Sequence, residues 1–382
     1  CTYDPDQRPK THLLWFLYML PLNFIKETIL PATNNAIHGQ TVTIGEFMLF
    51  IGLWLLMASV ITSCDRRSWF KNLGPTMWEG APFWLSHYMT GHRFDEINKA
   101  LRFTLSPLPT YRDRFFQVRE LLEAFNARMR HIFIPGWISC LDESMSIWTN
   151  RWTCPGWIFC PRKPHPYGNE YHTICDGQSG IMYAVEIVEG KDRPREIRKP
   201  AFHEEGNTAS LLLHLTHNLF GTGKLVILDN GFCVLQAITA LKKFGVYTSA
   251  LIKKHRYWHK HIDGPDIQTY MSAKDIVHQV HLPGELDGVG FDIFALKEPD
   301  YTMMLMSTYG QLVVNEGQKE NVRCLELMGD GDNERRFMYT EVFSNHFQFR
   351  GAVDDHNNKH HDGNGCHGMS LETTWRTTRW EL

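Results

Sequence analysis

Gly136-Trp-Ile-Ser-Cys-Leu-Asp-Glu-Ser-Met-Ser-Ile147 is the stretch on which the fold turns. Ile138 to Leu141 reads as a buried strand that runs straight into two acids, Asp142 and Glu143. An acid at the end of an apolar strand is costly unless it is hydrogen-bonded, paired or bound to a metal. A basic, aromatic, Pro-rich run follows, from Arg151-Trp152 to Cys160-Pro-Arg-Lys-Pro-His-Pro-Tyr-Gly168. Asp142 therefore needs partners from elsewhere in the chain.

Downstream of this stretch the texture is that of strands. Tyr171 to Cys175 and Ile181 to Val188 flank Asp176-Gly-Gln-Ser-Gly180, which predicts a hairpin with Asp176 as a turn residue. Thr208 to Phe220 has helical periodicity. Lys224 to Leu228 is a second apolar strand ending on an acid, Asp229; a helix (Val234 to Phe244) and a strand (Val246 to Ile252) follow. Three early strands, a helix and a fourth strand carrying an acid predict a mixed α/β fold with an RNase H-like sheet. Short strands at Gly290 to Leu296 and Thr302 to Ser307 fit an all-β insertion. A third acid cluster stands at Asp354-Asp355-His-Asn357, ahead of a Gly/His/Asn-rich loop.

Upstream, residues 1 to about 135 read as helical: Leu13 to Phe24, a helix introduced by a capping box at Thr43-Ile-Gly-Glu46, His87 to Ser106, and Val118 to Phe133. Phe47 to Thr62 lacks charge for 16 residues. That is short of the ~20 that span a bilayer, so a buried core helix is expected.

The whole chain has 382 residues, 43% apolar and 21% charged, which suits a folded protein with a large core. Net charge −3 argues against a uniformly basic coat but leaves room for local basic patches. Nine cysteines without a CxxC pair point to a reducing compartment, with Cys140, Cys175 and Cys233 as small buried thiols. There is neither a P-loop nor a GxGxxG, so no nucleotide cofactor is indicated. The chain opens without Met and stops at Trp380-Glu-Leu382 in what reads as the start of a helix, so a fragment or truncated gene is expected.

Together these blocks resemble piggyBac-type DNA transposases. Leu141-Asp-Glu-Ser-Met145, Arg162 to Gly168 and the Cys175-Asp-Gly hairpin look like the first catalytic block. Leu228-Asp-Asn-Gly-Phe232 resembles the second, Arg350-Gly-Ala-Val-Asp354 the third, and Thr378-Arg-Trp380 the Arg-Trp that follows. His92-Arg-Phe94, Leu101-Arg-Phe103 and Val118-Arg-Glu-Leu121 match landmarks of the helical part.

The resemblance implies a nucleus-located nuclease and strand-transferase that moves DNA by cut and paste at TTAA-type targets, as a homodimer, with no membrane partner. Asp142, Asp229 and Asp354 are its implied catalytic triad and hold two Mg²⁺ (or Mn²⁺) ions, assisted by Asn357, where the family often has another Asp. The implied division is 1–135, a helical dimerisation and DNA-binding part; 136–252, the first part of the RNase H-like core; 253–330, a β-rich insertion; 331–362, the core's completing acid; and 363–382, the start of a truncated C-terminal DNA-binding part. A Cys-rich zinc tail found in many members is missing. The alternative is a domesticated or inactive relative that binds DNA or protein without cutting.

The physics fits independently. Two ions about 3.5–4 Å apart stabilise the attacking and leaving oxygens of a phosphodiester. The acids stand 87 and 125 positions apart, so only tertiary folding unites them. Two carboxylates ~4 Å apart repel by about 4 kcal/mol at an effective dielectric of 20, and a cluster raises its own pKa values without cations. For DNA contact the candidates are Arg162, Lys163, Lys253, Lys254, Arg256, Trp258, Lys260, Arg379 and Trp380, because basic residues with interleaved aromatics suit a backbone groove with stacking. An ordinary solvated loop is the competing reading for Lys242 to His261. His360, His361, Cys366 and His367 match no standard zinc spacing and read as a polar loop.

Overall fold

Alternating apolar residues build a central sheet, and helices with one apolar face cover both of its sides. A computed structural model describes residues 11–59, 66–71, 84–111, 113–163, 166–189, 201–252, 267, 279–297, 302–310, 321–324, 334–337 and 340–361. The strands are β1 (Ile138–Ile147), β2 (Ile158–Phe159), β3 (Tyr167–Asp176), β4 (Met182–Ile187), β5 (Leu225–Leu228), β6 (Tyr247–Ile252), β7 (Gln279–Leu286), β8 (Val289–Lys297) and β9 (Thr302–Ser307). They form one nine-stranded sheet, ordered β2-β3-β1-β5-β6-β9-β8-β7, with β4 paired to β3. β1, β3 and β4 are antiparallel, whereas β1, β5 and β6 are parallel. That arrangement is the RNase H-like pattern, and β9, β8 and β7 extend it by antiparallel pairing onto β6. A separate ribbon pairs β10 (Asn321–Cys324) with β11 (Glu334–Phe337).

The helices are α1 (His12–Met19), α2 (Leu22–Ala36, with a π-turn at Ile25–Ile29), α3 (Ile44–Ser59), α4 (Gly91–Ala100), α5 (Phe116–Ile132), α6 (Asn207–Leu215), α7 (Leu235–Lys243), α8 (Glu341–Phe349) and α9 (Ala352–His361). On one sheet face α5, α6 and α7 meet Leu141, Ile174, Val226 and Leu228 in the main core, to which Met129, Leu212, Ile238 and Leu241 contribute. Each such fully buried Leu or Ile contributes about 1.5–3 kcal/mol. The other face carries Ile138, Cys140, Leu225 and Ile227, with Phe349, Ala352 and Val353 of the C-terminal segment against it.

A second core holds the N-terminal helices together. Phe50 stacks on Phe94 at 4.7 Å and meets Trp54 edge-on at 5.3 Å. α3 buries Phe47, Phe50, Leu53, Trp54 and Met57, as a core helix should. Its capping box is present: Thr43 Oγ1 accepts from the Glu46 N–H, and the Glu46 carboxylate accepts from the Thr43 backbone. Among the described residues no single helix is long and apolar enough to cross a membrane; the α1–α2 pair passes on length and composition but bends by 70°. Arg119 of α5 ties the helical part to the sheet by gripping Asp113 at 2.6 Å and Glu189, just past β4, at 2.7 Å.

Four expectations need correction. β1 does not end at its acids. It runs on to Ile147 because β3 continues to pair with it as far as Gly168. The helix expected over Leu13 to Phe24 breaks at Leu20-Pro21, since proline lacks the N–H that would continue it. The helix expected over His87 to Ser106 spans only Gly91–Ala100, capped by Thr90 and released at Leu101 into extended backbone. Residues 352–361 form a helix, so the acids at Asp354 and Asp355 sit in a first helical turn instead of a loop, and the rest of the loop expected to Gly368 lies outside the described residues.

Candidate active site

Strand register brings the first two acids together. Ile138 pairs with Leu225 and Leu141 with Leu228 in the parallel ladder of β1 and β5. One step further along both strands stand Asp142 and Asp229. Neighbouring strands lie about 4.8 Å apart, and in-register residues project to the same face. β5 stops there: Asp229 is still extended, and Asn230–Phe232 turns away as a 3₁₀ helix. β1 runs on beside β3, with Asp142 opposite Thr173. The sheet therefore opens next to Asp142, at the C-terminal ends of its parallel strands, where ligands of α/β sheets bind.

The third acid arrives from a helix. Cys140 shares a face with Asp142 because side chains alternate along a strand. Ala352 and Val353 of α9 pack on Cys140 and Cys175, and the Cys140 thiol donates to the Arg350 carbonyl at 3.2 Å. This lays the start of α9 on the face that carries Asp142. Asp354 follows Val353 directly, in the first turn, where the helix dipole favours an acid.

Electrostatics registers the convergence. The Asp142 carboxyl is pushed up to about 6. Burial is the largest cause, and the charges of Asp229 and Asp354 add to it; the Glu143 N–H, 2.7 Å from Oδ1, and the Lys163 ammonium act the other way. The Cys140 thiol is raised as well, first by burial and then by Asp142 and Asp354. Asn230 donates its side-chain amide to both Asp229 oxygens, at 3.3 and 3.2 Å. Asn357 stands three residues after Asp354 on α9, a spacing that shares a helix face. Asp355 is exposed.

Glu143 projects to the opposite face by alternation, and its carboxylate lies beside Gly231. Lys163 donates from Nζ to the Glu143 carbonyl at 2.9 Å, which anchors this cation beside the acids. Arg162 is exposed next to it, and both cations lower the otherwise raised pKa of Glu170, whose main perturbation is burial. Asp176 is a turn residue: it accepts from Gly136 N–H at 2.6 Å and from the Ser179 N–H and hydroxyl at 2.8 and 2.7 Å. Burial alone would raise its carboxyl, but these donors outweigh it and hold the group below the usual range. Cys140, Cys175 and Cys233 are buried free thiols.

Lys253, Lys254, Arg256, Trp258, Lys260, Arg379 and Trp380 lie outside the described residues, as do Cys366 and His367. Sequence reasoning passed over Cys140 and Val353, whose contact seats α9. It also passed over the buried Asn169, which takes the Cys154 thiol at 2.6 Å and braces the loop between β1 and β3. A Cys in the middle of an apolar strand carries no signal of such a role.

The donor set suits a hard divalent cation, since it offers carboxylate oxygens whose mutual repulsion a cation relieves. Among the described residues no group of three or more His, Cys, Asp and Glu side chains could by itself hold a metal ion. Mg²⁺ needs no such cage: one or two carboxylates suffice, with water and substrate phosphate completing its shell. Asp142 and Asp229 fit that requirement.

The transposase IS4 family matches residues 14–381. No curated protein matches the chain. Among solved structures, the fold is similar to the cryo-EM structure of a piggyBac transposase synaptic complex with hairpin DNA, with a TM-score of 0.59 and 17% identity, over 91% of this chain and 69% of that one. The mixed α/β fold with its RNase H-like sheet is thus shared with that transposase, and the chain belongs to the transposase IS4 family, of piggyBac type.

Proposed function

We propose that this transposase-family chain is a catalytic core that cleaves DNA and joins strands in cut-and-paste transposition, using Asp142, Asp229 and Asp354. One observation carries the reading: Asp142 and Asp229 each stand one register step beyond the parallel pair Leu141–Leu228, and the Asp142 carboxyl is raised chiefly by burial and further by Asp229 and Asp354. Asp142 and Asp229, with Asp354 and Asn357 from α9, would hold the divalent ions. When bound, such ions stabilise the attacking and leaving oxygens and activate water or a 3′-OH. The chain's own residues hold the site in place. β1 and β5 fix two carboxylates on the backbone, the Cys140–Val353 contact sets the third, and Lys163 offers a tethered cation to the DNA phosphates. The proposed partners are DNA with a TTAA-type target and a second copy of the chain, acting in the nucleus.

A second reading, DNA binding without cleavage, is favoured by Asn357 in place of an acid and by the lack of a preformed three-ligand group among the described residues. Supercoiled plasmid carrying TTAA separates the two. The first reading expects nicking with Mg²⁺ that stops with EDTA and in Asp229→Ala. Equal nicking by wild type and Asp229→Ala removes the proposed catalytic role. DNA binding by both proteins with nicking by neither establishes the second reading.

A further inference from the structure

The twenty residues from Trp148 to Tyr167, which link β1 to β3, hold five aromatic side chains, three Lys/Arg and no Asp or Glu. Their rings are displayed. Trp152 is 82% exposed, Phe159 53% and Tyr167 43%. Phe159 and Tyr167 are cross-strand partners stacked at 5.0 Å and 20°, and Trp157 continues the stack on Tyr167 at 5.9 Å and 22°. The Arg151 guanidinium lies 4.3 Å from the centre of the Trp152 ring.

This loop is braced from within. Trp148 Nε1 donates to Thr153 Oγ1 and Trp157 Nε1 to the Trp148 carbonyl, each at 2.8 Å. The indole N–H groups of these two rings are thereby satisfied, while Phe159 at one end of the stack stays exposed. The loop springs from Ile147, five positions beyond Asp142, and Lys163 fastens its far side to the Glu143 carbonyl. An acid-free surface of flat rings and cations complements a ligand made of flat rings and anions. In a duplex the base faces are already stacked, so open rings select bases that have lost their partners.

We propose that the β1–β3 loop is a stacking platform for unpaired nucleotides beside the acid site. Trp152 and the Phe159–Tyr167–Trp157 stack receive bases, and Arg151, Arg162 and Lys163 receive phosphates. This rests on the DNA-processing reading above. It adds that the strand engaged next to the acids is locally unpaired.

The test uses the full chain and fluorescence anisotropy with two probes, a labelled 15-nucleotide oligo(dT) and a labelled blunt duplex of equal length. Trp152→Ala and Phe159→Ala are expected to weaken oligo(dT) binding by roughly 5- to 150-fold each, and to change duplex binding less than twofold. Leu108→Ala, which removes an exposed apolar side chain in the helical part, should change neither. Unaltered oligo(dT) affinity in both aromatic variants overturns the platform while duplex binding leaves the DNA reading standing. So does a change in sedimentation coefficient with unaltered oligo(dT) affinity, which would make the rings a contact between copies of the chain. Failure of the wild type to bind either probe removes the DNA reading itself, and the platform with it.

Discussion

Replacing Asp142 with Asn should make the metal-free protein more stable while abolishing its proposed chemistry. The carboxyl is moved from 3.8 to about 6, chiefly by burial and further by Asp229 and Asp354. A raised carboxylate pKa means that the folded state binds its proton more tightly than the unfolded state. Stability from this group is therefore complete below pH 3.8 and is lost as pH rises through 6. At pH 7 the ionised group costs the folded state about 3 kcal/mol. Asn keeps an acceptor for the Glu143 N–H and removes the charge, so most of this cost should disappear. Urea titrations in EDTA at pH 7.5 should show the variant more stable by about 2–3 kcal/mol, a higher midpoint at unchanged slope. At pH 5 the advantage should shrink to about half, and below pH 3.8 it should vanish. Comparing both proteins at each pH cancels the titration of every other group. Mg²⁺ should stabilise the wild type and leave the variant unmoved. A variant no more stable than wild type at pH 7.5, or an advantage that ignores pH, would refute the idea of a partly buried Asp142 carboxylate repelled by its neighbours.

Three further outcomes are expected. Gly168→Ala should destabilise by at least 1–3 kcal/mol, because Gly168 has φ +147° and its Cβ would run into the Ser146 carbonyl; an unchanged urea midpoint would show that the β1–β3 link tolerates ordinary backbone there. Arg119→Leu removes the guanidinium that pairs with the buried carboxylates of Asp113 (side chain 2% exposed) and Glu189 (10%). It should cost about 3–5 kcal/mol, whereas Arg66→Leu at the half-exposed Asp95 pair should cost under about 1 kcal/mol; similar losses in the two would be inconsistent with burial as the cause. His346 is 2% exposed and its pKa falls to about 4, through burial first and Arg350 second. Its contribution is intact above pH 6.5 and declines by about 3 kcal/mol as pH drops to 4; His346→Gln should flatten that part of the pH–stability curve, and an unchanged curve would count against it.

Much of this architecture could be read along the chain because its signals are local. Leu225 to Leu228 and Tyr247 to Ile252 are apolar runs of strand length, Asp176-Gly marks its turn, and Thr43 with Glu46 marks a helix start. Element ends were read less well, since neighbours decide them. β1 passes its acids because β3 extends beyond β5, and α4 is short because Leu101 and Phe103 find burial without helical backbone. The run after β1 reads along the chain as basic and aromatic, but only the cross-strand pairing of Phe159 with Tyr167 stacks its rings.

The sequence by itself determined which residues could form a site: three acids with their flanks, in order, two of them directly after apolar runs of strand length. It also determined the order of strands and helices from which an RNase H-like sheet is expected. Only the tertiary structure decided that Asp142 and Asp229 share a register step and that Asp354 rides on a helix seated by Cys140 and Val353. The physical reason is that register, face and helix placement are set by pairings between segments 87 and 212 positions apart. No local propensity encodes those pairings, and burial of the surrounding core fixes them only when the whole sheet assembles.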